Sequence, residues 1–261
     1  MDVWTFHPNG FVLWRPDEAL SVLLQGGSYF ALVGPLRQYV TGSMPINRRQ
    51  VMTACTVFTL MYLAMGPLSF PAERFLFTAR VLQMLILTQV MPPLLFLAVP
   101  TWLFERILSV RYLGLTVKIG TRPVVALLGY NLLATVFLLP APLGAALSND
   151  LLHFVVQYGL MITAIFLWWP LMSSVPSRPR LAPGAQLIYL LFAMNFMMPI
   201  VVFLLFSRVP WYPFYATSSA NIPLLADQQV GAAVMVVGMA TIYALRAIRP
   251  FLSHSDSTWY E

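Results

Sequence analysis

Arg80, Gln83 and Met84 interrupt an otherwise apolar run at spacings of three and four residues. That spacing places them on one helical stripe with Leu87 and Met91. The stripe offers two chemistries. A guanidinium stays protonated at any accessible pH and suits an anion. Thioether sulfur suits a soft cation such as Cu(I), and Met65, Met161, Met197 and Met198 are among the 14 methionines that offer it. On a later run His153 and Gln157 stand four residues apart, on one helix face. One imidazole is a single ligand, where a zinc site usually asks for about three or four. Asp227-Gln228-Gln229 opens the last apolar run. A carboxylate there satisfies free backbone N–H groups and favours the helix dipole.

Seven apolar stretches near 20 residues long carry these groups, at roughly 19–36, 50–68, 75–98, 123–140, 151–172, 185–207 and 228–245. Each can cross a hydrocarbon core of about 30 Å as a helix. The chain is 59% hydrophobic and only 9% charged, and no polar stretch is long enough to fold separately. The sequence predicts an all-α polytopic membrane protein of about seven transmembrane helices, one membrane domain over residues 1–261. Residues 1–18, with Trp4, Phe6, Phe11 and Trp14 around His7-Pro8-Asn9-Gly10, predict an outer interfacial segment. Asp2 and the lack of a compact apolar core with an Ala-x-Ala site argue against a cleavable signal. Residues 101–112 are apolar at helical spacing but carry Glu105 and Arg106, and predict a cytosolic interfacial helix. Residues 246–261 predict a cytosolic tail.

The basic residues orient this pattern. Eleven of the fifteen fall on one side: Arg37, Arg48, Arg49, Arg106, Arg111, Lys118, Arg122, Arg178, Arg180, Arg246 and Arg249. The other side has Arg15, Arg74 and Arg208, and Arg80 lies inside a span. The positive-inside rule then puts the N-terminus outside and the C-terminus inside. The net charge of +6 fits cytosolic loops beside anionic lipid. The basic residues are scattered over short loops, with no aromatic-basic cluster to suit nucleic acid.

Polar residues inside spans are few: Gln25, Arg80, Gln83, Gln89, Asn131, Gln157 and Asn195. Such residues are costly in lipid, and a charged one points to function. Arg80 lies about two helical turns from the outer surface. Three roles are open to it: an ion pair with Glu73, Asp150 or Asp227, contact with a ligand or a cofactor propionate, or snorkelling. Three histidines, His7, His153 and His254, cannot supply a bis-His haem within the spans. No Ser-His-Asp set, glycine-rich phosphate loop or intramembrane carboxylate pair is evident, so no enzyme is expected. No Asp or Glu lies within an assigned span, which argues against cation-coupled transport. The single Cys55 excludes an internal disulfide and a Cys-x-x-Cys site, and is expected as a small buried apolar residue.

The order of motifs carries more than any one residue. Gly66-Pro67-Leu68 precedes Leu76-Phe77-Thr78-Ala79-Arg80-Val81-Leu82-Gln83-Met84 and then Pro92-Pro93-Leu94-Leu95. Leu139-Pro140, Trp168-Trp169-Pro170, Tyr212-Pro213-Phe214-Tyr215 and Asp227-Gln228-Gln229 follow. This series resembles the caa3-type cytochrome c oxidase assembly factor family, CtaG of the Bacillus type, from about residue 1 to about residue 247. The resemblance implies seven spans, an outer N-terminus and a role in building a copper- and haem-containing terminal oxidase, whose subunits would be the partners. The family's usual His-Met-Leu-Gln-His core in span three has Arg80 and Met84 at its histidine positions here. Its Trp-His-Leu-Pro is Phe137-Leu138-Leu139-Pro140, and its two histidines at the start of span five are His153 and Gln157. Two readings follow. His153 and Met84, with Met65 or Met161, make an altered copper site, or the scaffold persists without metal chemistry, which is the favoured reading. Arg80, Gln83, Gln157, Asp227 and Gln228 are expected to form a polar cluster at the outer end of the bundle. A structural subunit of another respiratory complex and a small-solute or metal transporter are the alternatives.

Overall fold

The structure, a computed structural model, describes residues 15–217 and 222–255. The expected outer segment, except for its last four residues, and the end of the expected tail lie outside these. Every regular element among the described residues is helical. Helix α1 (Pro16–Val33) has proline in its first turn with Asp17 and Glu18, which suit the positive end of the helix dipole. Helix α2 (Arg48–Met65) starts at a capping box in which the Asn47 and Gln50 side chains bond each other's backbone N–H. A short helix, α3 (Ser69–Arg74), leads into the third run.

That run is not one regular helix. Helix α4 (Phe77–Leu85) passes through a π-helical turn, Ile86–Val90, into α5 (Met91–Ala98). The wide turn restarts the helix just before Pro92 and Pro93, so their missing N–H groups fall where a helix start has none to satisfy. Its extra residue also splits the expected stripe. Met84 packs against the larger of two apolar clusters, whereas Leu87 and Met91 pack with Val57, Met61 and Met65 in the smaller.

The expected interfacial helix over 101–112 is two helices, α6 (Thr101–Ser109) and α7 (Arg111–Gly120), with Val110 extended between them. Ser109 Oγ donates to the Arg106 carbonyl at 2.6 Å, a local bond that competes with continuing the helix. Helix α8 (Pro123–Val136) leaves α7 at an angle of 83°. It stops short of the expected residue 140, because Leu139 precedes a proline and is extended. Pro140 instead opens α9 (Pro140–Ser148), so the expected outer connection is mostly helical. Helix α10 (Asp150–Met172) is capped by Asn149, and α11 (Pro183–Asn195) and α12 (Met198–Phe206) follow one another closely. The last helix is α13 (Leu224–Ser255).

Among the described residues five helical segments are long and apolar enough to cross a membrane: Arg48–Arg74, Phe77–Ala98, Asp150–Met172, Pro183–Phe206 and Leu224–Arg249. The bent α7–α8 pair makes a sixth if it is one span. The outer surface of the bundle is apolar, as Leu23, Leu132, Val237 and Leu245 show, while Gln83, Gln89, Asn131 and Gln228 are buried within it. Cys55, expected to be buried, is exposed beside Met52 on the outward face of α2, where a weakly polar thiol is tolerated against lipid.

Two ends of the bundle can be told apart by their hydrogen bonds. At one, Trp102 Nε1 donates to the Met44 carbonyl at 3.1 Å, Thr101 bonds Ser174, and Arg178 donates to Thr121 Oγ1. The basic loops meet there. At the other, Tyr215 Oη donates to the Ala72 carbonyl at 2.8 Å and Tyr212 Oη to the Leu138 carbonyl at 2.6 Å.

Candidate functional site: a polar cavity at the end opposite the basic loops

Asp227 sits in the first turn of α13, where it favours the helix dipole, but the free N–H groups that it satisfies belong to another helix. Its Oδ2 accepts from the Phe77 backbone N–H at 2.6 Å and its Oδ1 from that of Thr78 at 3.2 Å. Thr78 Oγ1 returns a bond to the Asp227 carbonyl at 2.9 Å. The carboxylate therefore caps α4, whose own N-cap residue, Leu76, has no side chain to do so. Phe77 stacks on Tyr212, with ring centroids 4.3 Å apart. Gln228 Oε1 accepts from the Trp211 N–H at 2.7 Å, and its Nε2 donates to the Leu204 carbonyl at 3.1 Å. Asp227 and Gln228 thus lock α4, α12 and α13 together at the end opposite the basic loops.

One helical turn into α4, Arg80 is 7% exposed. Its Nη1 donates to Gln83 Oε1 at 2.8 Å and to Gln157 Oε1 at 3.4 Å. Gln83 Nε2 donates to the Ala64 carbonyl at 2.9 Å. The structure so brings Arg80, Gln83 and Gln157 together from α4 and α10, with α2 as a third wall. Both acceptors of Arg80 are neutral amides. None of the three candidate carboxylates pairs with it directly: Asp227 caps α4, and Glu73 accepts from Arg15 Nη1 at 3.4 Å.

A cavity of about 500 Å³ opens above these groups, with Gln83 and Gln157 in its lining. Its rim is ionic. Arg15 pairs with Asp17 at 3.1 Å, Glu18 at 3.3 Å and Glu73 at 3.4 Å. It holds these at a φ of +40°, which a non-glycine residue rarely adopts. His153 Nδ1 lies 3.7 Å from Glu73 Oε1. Ser21 and Gln25 reach from α1 to Tyr158 Oη at 3.2 and 3.1 Å, tying α1 to α10 beside the cavity.

These residues do not fit a copper ion. His153 lines the cavity, whereas Met84 is not in its lining and packs against the larger apolar cluster. Met65 is the thioether that lines the cavity, and Met161 packs in the smaller apolar cluster. Arg80 and Arg15 are both in electrostatic reach of His153 and would oppose a cation there. No group of three His, Cys, Asp or Glu side chains gathers as a metal site among the described residues.

Sequence reasoning missed a second polar cluster deeper in the bundle. At the π-turn, Thr88 Oγ1 bonds Tyr130 Oη at 2.8 Å, and Gln89 Nε2 donates to the same oxygen at 2.7 Å. Gln89 was visible as a polar residue in an apolar run, but its tyrosine partner reads as an ordinary apolar residue until the helices are packed. Of the other polar span residues, Asn131 and Asn195 donate to carbonyls one turn back, at Leu127 and Leu191.

A family model described as cytochrome c oxidase caa3 assembly factor (Caa3_CtaG) matches residues 27–255. No curated protein and no solved structure matches the chain. The family match takes in every element from the middle of α1 to the end of α13, and with it Gln83 and Gln157 in the cavity lining, Arg80 that they hold, and the Asp227 cap. The chain belongs to the caa3-type cytochrome c oxidase assembly factor family.

Proposed function

We propose that the chain is a non-catalytic assembly or accessory factor for a haem-copper terminal oxidase, in the cytoplasmic membrane of a bacterium. In this reading it forms one domain of seven spans, with its N-terminus outside and its basic end in the cytoplasm. Family membership supports the role. The path of α1 supports the seventh span: Arg15 at its start pairs with Glu73 at one end of the bundle, and Tyr29 bonds the Ala98 carbonyl toward the other.

The observation that carries the site's role is Arg80, a buried cation held by two neutral amides below a polar cavity. A guanidinium so placed prefers an oxyanion that can accept several of its N–H groups. We take that anion to be a carboxylate of the partner, from a subunit side chain or a haem propionate. Copper binding is weak or absent in this reading.

Arg80→Gln removes the charge and keeps a polar side chain. It should lower assembled oxidase in cells several-fold while the variant protein stays at normal abundance. His153→Ala should leave oxidase nearly unchanged. An oxidase defect in His153→Ala that added copper repairs would overturn the metal-free reading. Purification of the tagged protein in mild detergent without any oxidase subunit, from cells assembling the oxidase, would overturn the assembly role.

A further inference from the structure

The other large cavity lies at the basic end of the bundle and is not part of the site above. It encloses about 830 Å³ between α5, the end of α10, the loop 173–182, the start of α11 and the end of α13. Arg180, Arg246 and Arg249 line it. Arg246 is 9% exposed. Its Nη2 donates to the Leu171 carbonyl and to Gln186 Oε1, both neutral, and its Nε has no partner among the described residues. No carboxylate pairs with any of the three arginines among the described residues. Arg180 and Arg249 instead act on Arg246 as like charges.

Three guanidinium groups around one cavity create a strong positive field that no carboxylate among the described residues pairs with. The first turn of α11 adds to that field. Pro183 lies in the cavity wall, and Ala182 before it offers no side-chain cap, so the positive end of the helix faces the same space. Ser173, Ser174 and Gln186 add polar groups to the lining, while Phe96, Leu97, Leu171 and Met172 form an apolar side. Leu97 is 44% exposed on the outward face of α5, so the apolar wall runs out to the surface that meets lipid. A cationic head space continuous with an apolar wall matches a molecule with a phosphate at one end and a hydrocarbon chain at the other.

We propose that this cavity binds an anionic phospholipid, its phosphate oxygens held by Arg180, Arg246 and Arg249 and its acyl chain lying along Phe96 and Leu97. The site needs no oxidase and stands apart from the function proposed above.

The test uses the full chain purified in mild detergent, with dioleoyl phosphatidylglycerol and dioleoyl phosphatidylcholine as probes and native mass spectrometry as the readout of bound lipid. The chain should retain phosphatidylglycerol about tenfold more tightly than phosphatidylcholine. Arg180 and Arg249 are exposed, so an Arg180→Gln, Arg249→Gln double variant should fold normally and lose most of that preference. Equal retention of the two lipids, or an unchanged preference in the double variant, would overturn the proposal. Inorganic phosphate is the control for a soluble anion. If it raises the unfolding midpoint as much as phosphatidylglycerol does, the site takes free phosphate and the lipid assignment fails.

Discussion

Asp227 places both carboxylate oxygens on a helix 150 residues away in sequence. A hydrogen bond to a charged group contributes about 1.5–3 kcal/mol, and an N–H left buried without a partner adds its own desolvation. Asp227→Ala removes two such bonds and leaves the Phe77 and Thr78 N–H groups unpaired at the start of α4. It should lower stability by about 3 kcal/mol, and Asp227→Asn, which keeps one good acceptor, by about half as much. Chemical denaturation in detergent reads both, and an Asp227→Ala midpoint equal to the parent's would contradict the cap. Arg80, Gln83 and Gln157 were legible in the sequence because each stands in an apolar run where a polar group needs a reason, whereas the rim of Arg15, Asp17 and Glu18 carries no such signal. Their partners were not legible. Arg80 meets Gln157 and His153 meets Glu73 across 77 and 80 positions of sequence, and no local pattern encodes such pairings.

At the scale of elements, the contact of α13 with α4 depends on two glycines seven residues apart on one face of α13. A Cβ on Gly231 would lie 2.7 Å from Phe77 Cδ1 and 3.3 Å from Thr78 Cα. A Cβ on Gly238 would lie 2.8 Å from Leu85 Cδ1. The missing side chains let the helices approach closely, as small residues do in membrane packing. The two positions differ in what can yield. Phe77 is buried and stacked on Tyr212, and Thr78 Cα is backbone, so neither gives way. Leu85 Cδ1 is the far end of a flexible side chain. Gly231→Ala should therefore destabilise by about 1–3 kcal/mol and Gly238→Ala by less than about 1 kcal/mol. Unfolding midpoints that reverse this order would show that the α4–α13 approach is not what the structure places there. Most of the helices were legible because apolar length and proline positions announce them. The π-turn, the break at Val110 and the helix at Pro140–Ser148 were not, because apolarity does not report which carbonyl each N–H selects.

For the whole molecule the open quantity is the number of crossings, and two segments decide it. Helix α8 has 14 residues and is about 21 Å long, shorter than a hydrocarbon core of about 30 Å. Helix α1 is 18 residues long but begins with two acids. Hydropathy marked both as spans because it sums apolar residues without asking where a helix bends. Charge offers an independent argument. If every stretch crosses, eleven of fifteen basic residues share one side. If α8 did not cross, the loop after α10 and the tail after α13 would fall on the side opposite Arg48, Arg49 and Arg106, and the asymmetry would be lost. Crossing is therefore expected, and single cysteines can test it in a Cys55→Ser background. Ser109, Ser148 and Ser177 are all exposed. In intact cells stripped of their outer barrier, a membrane-impermeant maleimide should label Ser148→Cys and spare Ser109→Cys and Ser177→Cys. A permeant maleimide should label all three. Protection of Ser148→Cys together with Ser109→Cys would mean that α7 and α8 dip into the membrane and return. Labelling of Ser109→Cys and Ser177→Cys with Ser148→Cys protected would invert the molecule. The cavity at Arg80 would then face the cytoplasm, where it could not receive a partner from outside.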